Sequence, residues 1–158
     1  MTYVFFRVTL IGANIGGYIV EKIEKKKVLI VDDNSLNAKL LKTMMRQIGS
    51  FEIHLVESAS EALFFYFKNE YDIIFLDIIM PIIGGETFLK AVEQLASKKL
   101  IPMHQNIILC TSIDSIEMLN TLSAYSQVSG LLRKPVSAGS LHKEIVTCLE
   151  KSSPKDIA

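Results

Sequence analysis

The chain has 158 residues, of which 17 are Lys or Arg, 17 are Asp or Glu, and 49% are apolar. Such a length and composition suit one domain with a full hydrophobic core rather than two, and the charge balance excludes an overall field that would draw the protein onto nucleic acid or an anionic membrane. The two cysteines, Cys110 and Cys148, stand in an apolar run and an expected helix without CxxC spacing, and they read as reduced core thiols.

At the N-terminus, Tyr3 to Ile11 is apolar, but Arg7 interrupts it and Asn14, Gly16 and Gly17 follow. No stretch approaches the roughly 18 apolar residues of a membrane span, so a soluble, cytoplasmic chain is expected. From Lys27 onward strand-like and helix-like segments alternate. Val28 to Val31 is short, apolar and β-branched, which suits a strand buried on both faces of a parallel sheet. Leu36, Leu40, Leu41, Met44, Met45 and Ile48 then recur at helical spacing, with Asn34 or Ser35 to cap the start and Gly49 to end the helix. Phe51 to Val56 alternates like a strand. Ser58 to Lys68 reads as a helix opened by a capping box of Ser58 and Glu61.

Tyr71 to Leu76 is the third strand, and a loop with Pro81, Gly84 and Gly85 leads to a helix over Glu86 to Ala96. Ile107 to Cys110 is the fourth strand, Ser115 to Tyr125 a more polar helix, and Ser129 to Leu132 the fifth strand. Pro135 breaks the chain before a last helix from Ala138 to Leu149, and the polar tail begins at Lys151 or Ser152. Strands and helices alternating in this way predict a doubly wound α/β fold: a five-stranded parallel sheet with helices on both faces.

The polar residues fall where such a fold places its sites, at the carboxyl ends of the strands beside the switch in strand order. Asp32 and Asp33 follow the first strand, Asp77 the third, Thr111 the fourth and Lys134 the fifth. Singly each has an ordinary role, as helix caps for Asp32, Asp33 or Thr111, a turn residue for Asp77 and a solvated charge for Lys134. Together they point to one site. Three carboxylates held close repel one another unless cations are supplied. A hard divalent ion such as Mg2+, with Mn2+ as a substitute, meets that need through oxygen ligands, and Lys134 adds a second positive charge. A carboxylate at Asp77 is then a competent nucleophile toward an activated phosphoryl group, with Thr111 as a hydroxyl donor to its oxygens.

The stretches Val28-Leu-Ile-Val-Asp-Asp-Asn34, Ile74-Phe-Leu-Asp-Ile-Ile-Met-Pro81 with Gly84 and Gly85, Ile107-Ile-Leu-Cys-Thr-Ser112 and Leu132-Arg-Lys-Pro135 resemble the receiver domain of two-component response regulators, in order and at family-like spacing across residues 26–150. The resemblance implies the flavodoxin-like receiver fold, with Asp77 as phosphoacceptor, Asp33 as direct metal ligand, Asp32 as a ligand acting through water, and Ile79 offering its backbone carbonyl to the metal. It implies Thr111 and Lys134 on the phosphoryl oxygens, a cis peptide before Pro135, and a histidine kinase or histidine phosphotransfer protein as partner. The chain would catalyse its own phosphorylation and slow dephosphorylation rather than turn over a substrate.

Departures from the family pattern carry expectations of their own. Leu131 stands where the family usually has Tyr or Phe, so the switch expected through Thr111 and Leu131 is a small repacking rather than an aromatic rotation. In the family that this chain resembles, the side chains at the positions of Ile79 and Ile113 border the approach of hydrolytic water, and neither isoleucine can orient it by hydrogen bonding, which predicts a long-lived phosphoryl group.

Residues 1–25 lie outside the resemblance. Tyr3 to Leu10 resembles the closing strand of a histidine-kinase ATP-binding domain, with Ile11 to Lys26 as linker, as in a hybrid kinase; the alternative is an appended element that packs on the receiver or pairs two chains into a homodimer. Two other functions compete with phosphoryl acceptance. A haloacid-dehalogenase-type phosphatase needs a second Asp two residues after its nucleophile, where this chain has Ile79, and a degenerate receiver serving only as a binding module would not need the full acceptor set.

Overall fold

Strand and helix alternate because the apolar pattern switches from uninterrupted runs to helical spacing and back. The computed structural model describes residues 14, 15, 18, 19, 25–101, 104 and 106–152. Tyr3 to Leu10, read as a strand from the sequence, lies outside the described residues. Within the segment read as a linker, Asn14–Ile15 (β1) and Tyr18–Ile19 (β2) pair antiparallel. The elements that follow are β3 (Lys26–Val31), α1 (Ser35–Ile48), β4 (Phe51–Val56), α2 (Ala59–Lys68), β5 (Ile73–Asp77), α3 (Gly85–Ser97), β6 (Ile107–Thr111), α4 (Ile116–Ser123), β7 (Val128–Arg133) and α5 (Ala138–Ser152). The last helix thus runs into the stretch expected to be tail.

Five strands form one parallel sheet in the order β4-β3-β5-β6-β7. Alternate residues of each central strand feed two cores, which is why these strands read as continuous apolar runs. Leu29, Val31, Ile74, Leu76, Ile107 and Leu109 pack with Phe88, Leu89 and Val92 of α3 and Ala59 and Ala62 of α2. Val28, Ile30, Ile73, Phe75, Ile108 and Cys110 face the other way, toward Ala38, Leu41 and Met45 of α1 and Leu141, Ile145 and Cys148 of α5. Both cysteines are buried in the core, as expected.

The helix starts resolve what the sequence left open. Asn34 rather than Ser35 caps α1, its Oδ1 accepting from the amides of Leu36 and Asn37 at 3.0 and 3.2 Å. At α2 the capping box is shifted: Ser58 Oγ accepts from Glu61 N at 3.2 Å, but the Glu61 carboxylate returns to the amide of Glu57, at 3.1 Å. The apolar stripe of α1 is wider than the face it buries, and Leu36 and Leu40 remain 73% and 58% exposed.

The chain leaves β3 for β4 on one side and then crosses to β5 on the other, so the strand order switches between β3 and β5. Val31 pairs with Leu76, which sets Asp32 and Asp77 beside each other at that switch point. The tight start of α3 depends on Gly85, since a Cβ there would collide with the carbonyl oxygen of Asp77.

Candidate functional site

Four strand ends deliver the site. Asp77 is the last residue of β5 and Thr111 the last of β6, while Asp32 follows β3 and Lys134 follows β7. Asp32, Asp77 and Thr111 are buried and Asp33 is exposed. Carboxylate oxygens of Asp32, Asp33 and Asp77 lie within 4.8 Å of one another. The Lys134 ammonium spans two of them, donating to Asp32 Oδ2 at 2.8 Å and Asp77 Oδ2 at 2.6 Å.

Backbone amides hold the remaining oxygens. Asp32 Oδ1 accepts from Asn34 N at 2.9 Å, and Asp77 Oδ1 from Ile79 N at 3.0 Å. Ile79, expected from the sequence to act through its carbonyl, therefore also meets the site through its amide. Thr111 Oγ1 accepts from Ile113 N at 3.1 Å, and the Thr111 carbonyl accepts from Lys134 N at 2.9 Å, tying the fourth and fifth strand ends together. The peptide between Lys134 and Pro135 is cis, as expected.

Burial and charge act together on the titration of the pocket. Burial pushes the Asp77 carboxyl above its ordinary value, opposed by the hydrogen bonds from Lys134 and Ile79 and reinforced by the nearby Asp32. For Lys134 burial alone would lower the value, but its hydrogen bonds to Asp32 and Asp77 outweigh that and hold the ammonium above its usual value. Three carboxylates against one ammonium leave two negative charges. An all-oxygen donor set with that surplus fits a hard divalent cation of the Mg2+ or Mn2+ kind and offers nothing to a softer ion that prefers sulfur or imidazole.

A groove of about 380 Å3 adjoins the same pocket, with Asp32, Lys134, Leu40, Met44 and Val136 in its lining. Reading the sequence did not single out this groove. Its signal was the overly wide stripe of α1, whose Leu40 could not fit the inward arc. Leu131 sits in β7, half-buried, and packs against the core that also holds Ile113. Ile79 is 54% exposed at the mouth of the site, and Ile82 beyond it is fully exposed with a positive φ of 68°.

A parallel sheet with a charged pocket at its switch point defines a broad class of flavodoxin-like proteins. Residues 28–146 match the family of the response regulator receiver domain. The chain belongs to that family and is a receiver domain of two-component signalling. It is 31% identical over 111 residues to the chemotaxis protein CheY of Halobacterium salinarum, covering 70% of this chain and 85% of that protein. It is 36% identical over 81 residues to hybrid signal transduction histidine kinase I of Dictyostelium discoideum, covering 47% of this chain but 5% of the kinase. Across such kinases the chain spans between 2% and 7% of their length. Among solved structures, the receiver domain of Francisella response regulator 1452 superposes with a TM-score of 0.66 at 28% identity, covering 82% of this chain and all of that one. A two-component response regulator from Clostridium difficile gives 0.67 at 27% identity, covering 82% of this chain and 100% of the other.

Proposed function

We propose that this receiver domain accepts a phosphoryl group on Asp77 from a phosphohistidine, carried by a histidine kinase or a histidine phosphotransfer protein. The observation that carries the reading is the bridging of Asp32 and Asp77 by one lysine, inside a cluster of three carboxylates. An Asp77 carboxylate oxygen forms the new bond to phosphorus, the phosphorus–nitrogen bond to the imidazole breaks, and the electron pair leaves with the nitrogen. In this reading Lys134 turns from the Asp77 carboxylate to a transferring oxygen, and the Thr111 hydroxyl donates to another. A divalent ion held by Asp32, Asp33, Asp77 and the Ile79 carbonyl would supply charge neutralisation for the remaining oxygens.

The apolar groove beside Lys134 gives a helical partner something to grip, with Leu40 exposed in its lining and Leu36 exposed on the same helix. A partner that buried these residues would bring its phosphohistidine over the strand ends. Product lifetime follows from the flanking side chains. Ile79 and Ile113 have no polar atom beyond the backbone with which to orient an attacking water, so the acyl phosphate decays slowly. Leu131 gives a muted conformational readout, which suits a phosphoryl-passing intermediate. No helix among the described residues is long and apolar enough to cross a membrane.

Incubation with phosphoramidate and Mg2+ followed by intact mass tests the reading. One added phosphoryl group that persists after the donor is removed, and is shed faster by Ile79→Asn or Ile113→Glu, is the expected result. Continuous release of inorganic phosphate would instead indicate a phosphatase, and an unchanged mass a binding module.

A further inference from the structure

We propose that Asn37 binds the imidazole of the phosphohistidine donor, its side-chain carbonyl accepting from the ring N–H on the nitrogen that does not carry the phosphoryl group. The inference deepens the phosphoryl-acceptor reading and rests on it.

One stripe of α1 lines the groove beside the acid pocket. Asn37, Leu40, Leu41 and Met44 follow one another at i, i+3, i+4 and i+7, and all four belong to the lining. Asn37 is the polar member of that stripe and its first, the third residue of a helix that starts from the strand end carrying Asp32. Local hydrogen bonds fix where it stands. Asp32 Oδ1 accepts from Asn34 N at 2.9 Å, and Asn34 Oδ1 in turn accepts from Asn37 N at 3.2 Å, so two successive links tie Asn37 to the pocket.

Those links use only the Asn37 backbone. The residue is exposed, and among the described residues its side chain makes no hydrogen bond. Helix propensity does not account for it either, since Asn is a weaker helix former than the leucines that continue the stripe. The charged groups of the lining are already engaged, because Lys134 donates to Asp32 Oδ2 and Asp77 Oδ2 at 2.8 and 2.6 Å. Asn37 therefore has an amide to offer an incoming molecule at the polar end of an otherwise apolar stripe.

The donor carries the matching group. Phosphohistidine holds its phosphoryl group on one ring nitrogen and, when the ring is protonated, an N–H on the other. As the phosphorus–nitrogen bond breaks, its electron pair stays on the first nitrogen, and the ring departs as neutral imidazole that keeps the second N–H. An acceptor on that N–H orients the ring for transfer and favours the protonated form, which leaves more readily. An amide does so without adding charge to a pocket that already holds three carboxylates against one ammonium.

Two small donors test the assignment. Phosphoimidazole has the ring N–H, whereas acetyl phosphate releases acetate and has none. Initial rates of uptake by the full chain at one pH and one Mg2+ concentration, read by intact mass, give the ratio of the two donors for the wild type, Asn37→Leu and Asn37→Asp. Any effect on the pocket that both donors share cancels in the ratio. Asn37→Leu is expected to lower the ratio of phosphoimidazole to acetyl phosphate by about tenfold, the loss of one hydrogen bond to a charged ring, and Asn37→Asp, which keeps an acceptor oxygen, to hold it within about twofold of wild type. A ratio that is unchanged in Asn37→Leu, or that falls as far in Asn37→Asp, overturns the role of Asn37 and leaves phosphoryl acceptance standing. A wild type that acetyl phosphate does not label brings down the phosphoryl-acceptor reading itself, and this inference with it.

Discussion

The two ends of the sheet use the same residue types to opposite effect. At the amino-terminal end Asp72 meets Lys26 Nζ at 2.6 Å and accepts from the Lys27 amide at 2.8 Å, so one carboxylate answers one ammonium. Nearby, the Asn106 amide donates to the Tyr71 carbonyl at 2.7 Å, which links two strand starts without charge. At the carboxyl-terminal end a single ammonium serves two buried carboxylates, and a third stands beside them. A balanced pair only closes an edge, whereas a surplus of buried like charge costs stability in the resting fold and is relieved by a ligand that brings positive charge. The surplus, rather than the presence of aspartates at strand ends, distinguishes the end proposed to accept the phosphoryl group.

That contrast breaks most sharply at the aspartates. Asp77→Ala is expected to abolish phosphoryl uptake from a small donor, measured by intact mass. Asp72→Asn, which removes the charge from a hydrogen-bonded pair, is expected to leave uptake intact and cost about 1–2 kcal/mol of stability in urea melts. Uptake that survives Asp77→Ala, or disappears with Asp72→Asn, erases the distinction between the two ends.

The lysines sharpen it. Lys134→Ala removes the ammonium that bridges Asp32 and Asp77 and with it the electrostatic support for the transferring oxygens, so the rate of uptake is expected to fall by about a hundredfold. Lys26→Ala breaks a partly exposed pair, and the rate is expected to stay within twofold of wild type. Initial rates with phosphoramidate at fixed Mg2+ compare the two directly.

Much of this contrast was readable before any coordinates. Uninterrupted runs such as Val28 to Val31 and Ile107 to Cys110 suit strands covered on both faces, and with the strands in a parallel sheet Asp32, Asp77, Thr111 and Lys134 are expected to share an edge. What stayed hidden depended on tertiary context. Periodicity alone could not tell that Ala38, rather than Leu36 or Leu40, would face the core, because a small residue beside the sheet lets α1 lie close while its larger neighbours turn outward. Nor could local pattern show the return of the Glu61 carboxylate to Glu57 instead of Ser58. The groove at Leu40, Met44 and Val136 joins segments far apart in the chain, and no short motif encodes it.

The smallest expected effect is the most specific to the charge surplus, because it reads the resting protein without donor or metal. Burial raises the Asp77 carboxyl above its ordinary value despite the Lys134 hydrogen bond. The native state then keeps its proton at pH values where the unfolded chain, titrating at about 3.9, has lost it. Stability from this group is therefore fully present below the unfolded value and declines as pH rises through the folded one, with a slope of at most about 1.4 kcal/mol per pH unit. Asp77→Asn removes that titration, so the variant should gain on the metal-free wild type as pH climbs through the weakly acidic range, and Mg2+ should close the gap by stabilising the wild type alone. A difference between the two proteins that stays flat with pH would mean that Lys134 already neutralises the pocket, and the carboxyl end of the sheet would then be as balanced as the end that Asp72 closes.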